Sequence, residues 1–277
     1  MAVYYTKNKS EWRPISELRT VEQNISEFGY VKEYIDANRL YRKKSSCSHM
    51  SSGQVDFFEP LEVKAEGGEV FYREKGHHKY VDVPETFETQ YGTFINHDNG
   101  EFESWLAKKD YEGCYIEGNF CDMFDCGKYS YAISNLLHLG LGSFKIVRID
   151  KNLEAITMYD NSNAKGWFCL QYMGRFQKSE GHILIVSGFE ELKRVQNEKR
   201  SFQDKTILFQ IDSDGECNIS KEWEVRISSS NSMAVAGDLI YLGQNKMVTR
   251  LNMTSGELTY LTNKNDEELA ALKPMCF

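Results

Sequence analysis

The sequence predicts an all-β protein made of many short antiparallel strands. Its clearest stretch, residues 235–262, reads as strands at 238–242, 247–252 and 258–262, separated by turns rich in glycine, asparagine and serine. An apolar residue followed by aspartate or asparagine ends a strand just before a turn. This ending occurs at five places: Ile35-Asp36, Ile95-Asn96, Ile149-Asp150, Ile211-Asp212 and Leu251-Asn252. We interpret it as turn chemistry, because such side chains accept hydrogen bonds from turn amides.

The N-terminal region contains one predicted helix. Apolar residues recur there at three- and four-residue steps after Pro14, which is the spacing of a helix with proline in its first turn. These residues are Ile15, Leu18, Val21, Ile25 and Phe28. We therefore expect a helix at 15–28, followed by a strand pair at 30–41, where apolar and polar residues alternate.

The rest of the chain is predicted as strands and hairpins. Turn residues such as Asp98-Asn99-Gly100 separate β-rich segments. The predicted strands and hairpins lie at 55–63, 69–73, 86–105, 144–159, 166–173, 182–186 and 205–223. A charged insert at 189–204 is expected to be a solvated loop or short helix, and residues 265–272 to be a short C-terminal helix.

The recurring endings divide the chain into units of about 40 to 60 residues, too small to bury their faces without stacking on neighbours. Through segments such as GDLIYLG, KMVTRLN and SGELTYL, residues 50–277 resemble divergent β-propeller repeat proteins of the WD-repeat or quinoprotein-like kind. The resemblance implies a propeller-like array of about five antiparallel blades. Residues 1–50 would form the N-terminal helix and a first partial blade, and 51–277 the propeller-like domain. A β-sandwich of two stacked sheets is the alternative.

Composition narrows the class of protein. The 277 residues include 41 acidic and 33 basic ones, and the net charge of -8 argues against a nucleic-acid partner and favours a basic one. The longest apolar run, at 183–186, is too short to span a membrane, and the N-terminus has no apolar core as long as that of a signal peptide. Seven scattered cysteines are typical of reduced thiols. We therefore expect a cytoplasmic protein.

The densest group of potential metal ligands lies in residues 113–127. It consists of Cys114, Cys121 and Cys126, with Asp122 and Asp125 between the last two. A structural zinc site needs four ligands in closely spaced pairs, and only Cys121 and Cys126 approach that spacing. The sequence therefore predicts no metal site.

Other catalytic or cofactor motifs are absent from the sequence. His77 and His78 would point to opposite faces of a strand, so they cannot easily bind one ion. Gly127-Lys128 lacks the flanking residues of a phosphate-binding loop, and no nucleophile motif of the hydrolases occurs. We therefore expect no cofactor.

These observations favour a protein-binding module, and a sharper version is an inhibitor or immunity-type protein that covers the basic site of a partner. The contact surface is predicted in the loops 75–84, 161–166 and 189–204. The predicted binding residues are His77, His78, Asp122, Asp125 and Trp167. The alternative is a glycoside hydrolase-like enzyme with carboxylates around a propeller axis, among them Asp122, Asp125, Asp160 and Asp212.

Overall fold

The structure is a computed structural model. It describes residues 11–21, 61–74, 86–98, 104–111, 113, 115–138, 141–161, 168–179, 181–191, 202–227, 232–244 and 247–263. Over these residues the protein is all-β, which confirms the predicted class, and they contain no α-helix. None of the described segments is a helix that could cross a membrane.

The chain divides into two compact units. One unit comprises Met1–Val81 and Ile227–Phe277, and the other comprises Asp82–Arg226. The boundary predicted near residue 50 lies outside the described residues, as do the predicted strand pair at 30–41 and the predicted helix at 265–272.

The first unit contains two antiparallel sheets. One has three strands, β1 (Arg13–Pro14), β3 (Leu61–Glu66) and β4 (Glu69–Glu74), in the order β1-β4-β3. The other has five strands: β2 (Arg19–Thr20), β17 (Ser232–Ala236), β18 (Leu239–Gly243), β19 (Val248–Asn252) and β20 (Leu258–Thr262). Their order is β17-β18-β19-β20-β2. Strands β18 to β20 match those predicted in 235–262 to within one residue at each end.

The predicted N-terminal helix is wrong over residues 15–21. Ile15–Glu17 forms a three-residue 3-10 helix, and β2 then pairs with β20. Leu18 and Val21 are buried, and Val21 N–H donates to the Tyr260 carbonyl at 2.8 Å. The three-residue spacing therefore reflects a tight turn and an extended segment that cover a sheet. Residues 22–28 of the predicted helix lie outside the described part.

The second unit contains three consecutive four-stranded meanders. The first forms a separate sheet of β5 (Thr86–Thr89), β6 (Gly92–Asp98), β7 (Ser104–Lys108) and β8 (Tyr115–Glu117). The second comprises β9 (Phe120–Cys126), β10 (Tyr129–His138), β11 (Leu141–Ile149) and β12 (Ala155–Asp160). The third comprises β13 (Phe168–Lys178), β14 (Gly181–Glu191), β15 (Phe202–Asp212) and β16 (Cys217–Trp223). A parallel pairing of Gly142 with Cys169 joins the last two into one eight-stranded sheet.

Strands β9, β10 and β11 of the second meander are covered on both faces, whereas β12 is largely exposed. Tyr131 and Ile133 pack into a core with residues of β13–β16, whereas Ala132, between them, packs into a second core with the β5–β8 meander. Each buried large apolar side chain contributes about 1.5–3 kcal/mol. Because both faces are covered, β9 and β10 lack the strict alternation that marks a half-exposed strand, and the sequence did not identify them as strands.

The Asx strand endings confirm part of the predicted turn chemistry. Asn252 Oδ1 accepts hydrogen bonds from the backbone N–H groups of Thr254 (2.8 Å) and Ser255 (3.1 Å). Asp150 Oδ1 accepts two turn amides in the same way. Asp212 differs, because its Oδ1 accepts from the Gln210 side chain at 2.7 Å.

The turn between β9 and β10 touches the turn between β15 and β16. Gly127 has a φ of 58°, and a Cβ placed there would overlap the carbonyl oxygen of Ser213. Cys126 Sγ lies 3.7 Å from the Ile211 carbonyl oxygen, so the contact continues along the strand. Glycine is therefore required at 127 both for backbone conformation and for space.

Gly127→Ala should destabilise the protein by about 2–5 kcal/mol, the sum of a left-handed backbone and an overpacked contact. The matched control is Gly237→Ala, because Gly237 has the same φ of 58° and an added Cβ there would have nothing within 4 Å. That variant should lose only about 1–2 kcal/mol. Urea unfolding followed by circular dichroism measures both, and equal losses would contradict the turn contact.

Candidate functional site

Two of the five predicted binding residues lie in the described part of the chain. Asp122 and Asp125 are both on β9, whereas His77, His78 and Trp167 lie outside the described residues. Asp122 pairs with Ile133 and Asp125 with Ser130, three positions apart along a regular ladder. Because successive strand residues alternate, the two carboxylates point to opposite faces of the sheet.

Asp122 is the centre of a polar cluster between β9 and β13. Its Oδ2 accepts a hydrogen bond from the Tyr172 hydroxyl at 2.6 Å and one from Arg175 Nε at 2.9 Å. The side chains of Asp122 and Arg175 are 24% and 30% exposed, so the ion pair is partly shielded from water. Partial shielding makes such a charge-assisted contact stronger than a surface ion pair.

Both strands that form this cluster are irregular at the point of contact. The β9–β10 register shifts between Ile133 and Ser134, which leaves Cys121 as an extra residue, and the β13–β14 register shifts between Tyr172 and Gly174. Gly174 has a φ of 145°. β-Bulges bend a strand and re-aim its side chains, and these two lie directly beside Asp122 and Tyr172.

The surroundings of Asp122 keep the Tyr172 hydroxyl and the Cys121 thiol protonated. Burial, followed by the charge of Asp122 and its hydrogen bond, raises the pKa of the Tyr172 hydroxyl well above its ordinary value. Burial, with Asp122 second, raises the pKa of the Cys121 thiol to about 12. At neutral pH Tyr172 is therefore a hydrogen-bond donor, and Cys121 is a thiol with little nucleophilic character.

An aromatic ring connects this cluster to a buried histidine. The Arg175 guanidinium lies 4.5 Å from the ring centroid of Phe124, and the His182 ring centroid lies 4.6 Å from it. Burial lowers the pKa of His182, and the nearby charge of Arg175 lowers it further. The Asp125 carbonyl and the Asp122 carboxylate act in the opposite direction, but their effect is smaller. His182 is 8% exposed, and its Nδ1 has no hydrogen-bond partner among the described residues.

His182 also lines a cleft at the β13–β14 turn, with a volume of about 160 Å³. Its other polar lining residues are Lys178, Ser179, Gln210 and Asp212. Asp212 is one of the carboxylates predicted to surround a propeller axis. Its Oδ1 accepts a hydrogen bond from Gln210, and it takes no part in the hydrogen bonds described for the Asp122 cluster.

Asp125 has a structural role on the other face of β9. Its Oδ1 accepts from the Ser130 hydroxyl at 2.6 Å, and its Oδ2 accepts from the Gln90 backbone N–H at 2.8 Å. The Gln90 side chain also donates to the Tyr129 carbonyl at 2.9 Å. Asp125 thus ties the β5–β6 turn to the β9–β10 hairpin.

Catalysis by paired carboxylates is not favoured by this arrangement. The structure does not bring Asp122 together with Asp125, and the described residues contain no cluster of three or more side chains suited to holding a metal ion. The charge of Asp122 is balanced by Arg175, and Tyr172 donates a hydrogen bond to the same carboxylate oxygen. The cluster can fix two strands together and orient charge, which is what a rigid binding surface needs.

A second feature, missed by the sequence reasoning, is an aromatic strip on the β5–β8 meander, formed by His97, Trp105 and Tyr115. The His97 and Trp105 rings stack with centroids 4.1 Å apart, and Tyr115 meets Trp105 edge-on at 5.3 Å. Tyr115 is 63% exposed. The sequence signal for this strip is the period of two along β6 to β8.

The strip belongs to the outer face of the β5–β8 meander, which is the face opposite its core. Phe87, Phe94, Leu106 and Ile116 point into the core. The alternating residues therefore point outward, and they include Glu88 and Glu117 but no lysine or arginine. Glu117 pairs directly with Trp105. The outer face is aromatic and acidic.

Comparisons with known proteins add no family to these observations: no protein-family model matches the sequence, and no curated protein matches it.

Tyr172→Phe should destabilise the protein by about 1.5–3 kcal/mol, because it removes a hydrogen bond donated to a partly buried carboxylate. Tyr115→Phe is the matched control and should change stability by less than about 0.5 kcal/mol, because Tyr115 is exposed. Chemical denaturation at neutral pH compares the two. Equal effects would show that the Asp122 cluster contributes little.

His182 should make stability fall as the pH decreases. Its pKa in the folded state is lower than the ordinary value of 6.5, so the stabilisation is present above 6.5 and is lost as the pH falls below it. His182→Gln should flatten this dependence between about pH 7 and about pH 5. Urea unfolding across that range is the measurement, and parallel curves for both proteins would refute the assignment.

Proposed function

We propose that the chain is a cytoplasmic protein-binding module on a propeller-like scaffold, in which each group of consecutive antiparallel strands is one blade. The groups are β3–β4 with β1, β5–β8, β9–β12, β13–β16 and β17–β20 with β2. Three of the recurring endings, Asp150, Asp212 and Asn252, close strands in three different groups, whereas Asn96 lies inside β6 and Asp36 lies outside the described residues. The pattern of buried clusters supports the proposal, because each described core joins residues of two such groups.

The observation that carries the binding function is the outer face of the β5–β8 meander. Tryptophan and tyrosine are enriched at protein interfaces because they combine a large contact area with a polar group. In the aromatic strip they are pre-stacked on three strands, so little side-chain freedom is lost on binding. A polar sheet surface would be expected if this face only contacted water.

Charge favours a basic partner. The outward positions of the β5–β8 meander hold two glutamates and neither lysine nor arginine. The whole chain carries a net charge of -8. Lysine or arginine side chains of a partner would contact the faces of Trp105 and Tyr115 and pair with Glu117. An inhibitor or immunity-type protein that covers a basic site is the sharpest form of this proposal.

Trp105→Ala should weaken binding of the partner at least about tenfold, since a central tryptophan is a typical hot spot. The partner is first captured from native lysate at low salt, identified and purified, and its dissociation constant is then measured by titration calorimetry. Glu117→Gln should weaken binding less and reduce its salt dependence, because it removes one charge.

The control for this experiment is Tyr111→Ala, because Tyr111 is 51% exposed and lies outside the strip. Its affinity should equal that of the unaltered protein. If Trp105→Ala and Tyr111→Ala bind equally well, the outer face is not the interface. An experimental structure tests the scaffold separately: two stacked sheets instead of blades around one axis would identify the β-sandwich.

A further inference from the structure

We propose that His97 makes binding at the aromatic strip depend on pH, so that a basic partner is held at neutral pH and released in mildly acidic surroundings. The inference rests on the proposed function, because it concerns regulation of the same outer face of the β5–β8 meander. Histidine is the side chain that ordinarily changes its charge between about pH 8 and about pH 5. The His97 ring stacks on Trp105, with centroids 4.1 Å apart and an angle of 17° between the planes.

The position of His97 places its charge inside the proposed interface. His97 pairs with Trp105 and Trp105 pairs with Glu117, so the three residues form one row across β6, β7 and β8. Residues directly opposite each other in an antiparallel sheet lie on the same face. Tyr115 meets Trp105 edge-on at 5.3 Å and completes the strip. A proton taken up by His97 therefore adds a positive charge beside the central ring of the contact surface.

The charges around His97 are mainly negative. Among the side chains that the structure describes, the outer face of the meander carries the two carboxylates of Glu88 and Glu117. Glu88 lies toward the opposite end of β6, whereas Glu117 lies in the same row as His97. Lys145 of β11 reaches the edge of the meander and donates to the Glu117 backbone carbonyl at 3.5 Å. Protonation of His97 leaves the two carboxylates of this face opposed by one positive charge.

Protonation opposes a basic partner in two ways. The imidazolium repels a lysine or arginine side chain that approaches Glu117 or Tyr115. It also attracts the electron density of the Trp105 ring through a cation–π contact, so the ring attracts a second cation less. Neither effect operates while the imidazole is neutral. Binding should therefore be about three- to tenfold weaker at about pH 5.5 than at about pH 7.5.

The test uses the full chain and the peptide octa-arginine as a basic probe. Titration calorimetry gives the dissociation constant at about pH 7.5 and at about pH 5.5, which are both above the range in which glutamate ordinarily titrates. The unaltered protein should lose about three- to tenfold in affinity on acidification, and His97→Gln, with a neutral side chain at both values, less than about twofold. His97→Lys, which is always charged, should bind weakly at both. His182→Gln is the matched control, because it removes a buried histidine of another meander, and it should keep the full pH dependence.

A second measurement needs no probe and serves if a His97 variant does not fold. The chain has four tryptophans, so the indole N–H signals in NMR spectra are few, and Trp105→Phe assigns the signal of Trp105. In the unaltered protein this signal should shift between about pH 7.5 and about pH 5.5 together with the ring signals of His97, because the two rings are stacked.

The outcomes separate this inference from the proposed function. If octa-arginine does not bind at about pH 7.5, or if Trp105→Ala binds it as well as the unaltered protein does, the outer face is not the interface and both proposals are wrong. If Trp105→Ala weakens binding but the unaltered protein and His97→Gln lose affinity equally on acidification, only the role of His97 is overturned. A Trp105 signal that does not move with pH would also overturn that role.

Discussion

The structure of the second unit depends on covering both faces of strands β9, β10 and β11. Phe144 and Ile146 of β11 enter the core shared with β13–β16, and Val147 and Ile149 of the same strand enter the core shared with β5–β8. This follows from the ordinary alternation of a regular strand, since β11 pairs with β10 without interruption from Leu141 to Ile149. This meander alone would leave both of these faces in water, so its neighbours are part of its stability.

Polar contacts reinforce this stacking at specific points. Asp122, Tyr172 and Arg175 connect β9 to β13, and Asp125 connects β9 to the β5–β6 turn. Both carboxylates are therefore used between meanders, one on each face of the same strand. Buried and half-buried charges of this kind specify which strands meet, while the apolar clusters supply most of the free energy.

The aromatic strip and the cleft at the β13–β14 turn differ in how they are built. The aromatic strip lies on a sheet face that the core of its own meander does not use, and its rings are ordered by stacking on each other. The cleft lies at a strand turn, where polar side chains surround a buried histidine.

The sequence alone determined the all-β class, the hairpins at 144–159 and 205–223, and the strands of 235–262, because local alternation and turn residues are sufficient to define half-exposed antiparallel strands. It failed at residues 15–21, where pairing with β20 overrides helix spacing, and at β9 and β10, which are buried on both sides. It selected Asp122, but the tertiary structure alone placed Tyr172, Arg175 and His182 around it. Residues on different strands meet through sheet register and bulges, and no local pattern of one strand encodes its distance from another.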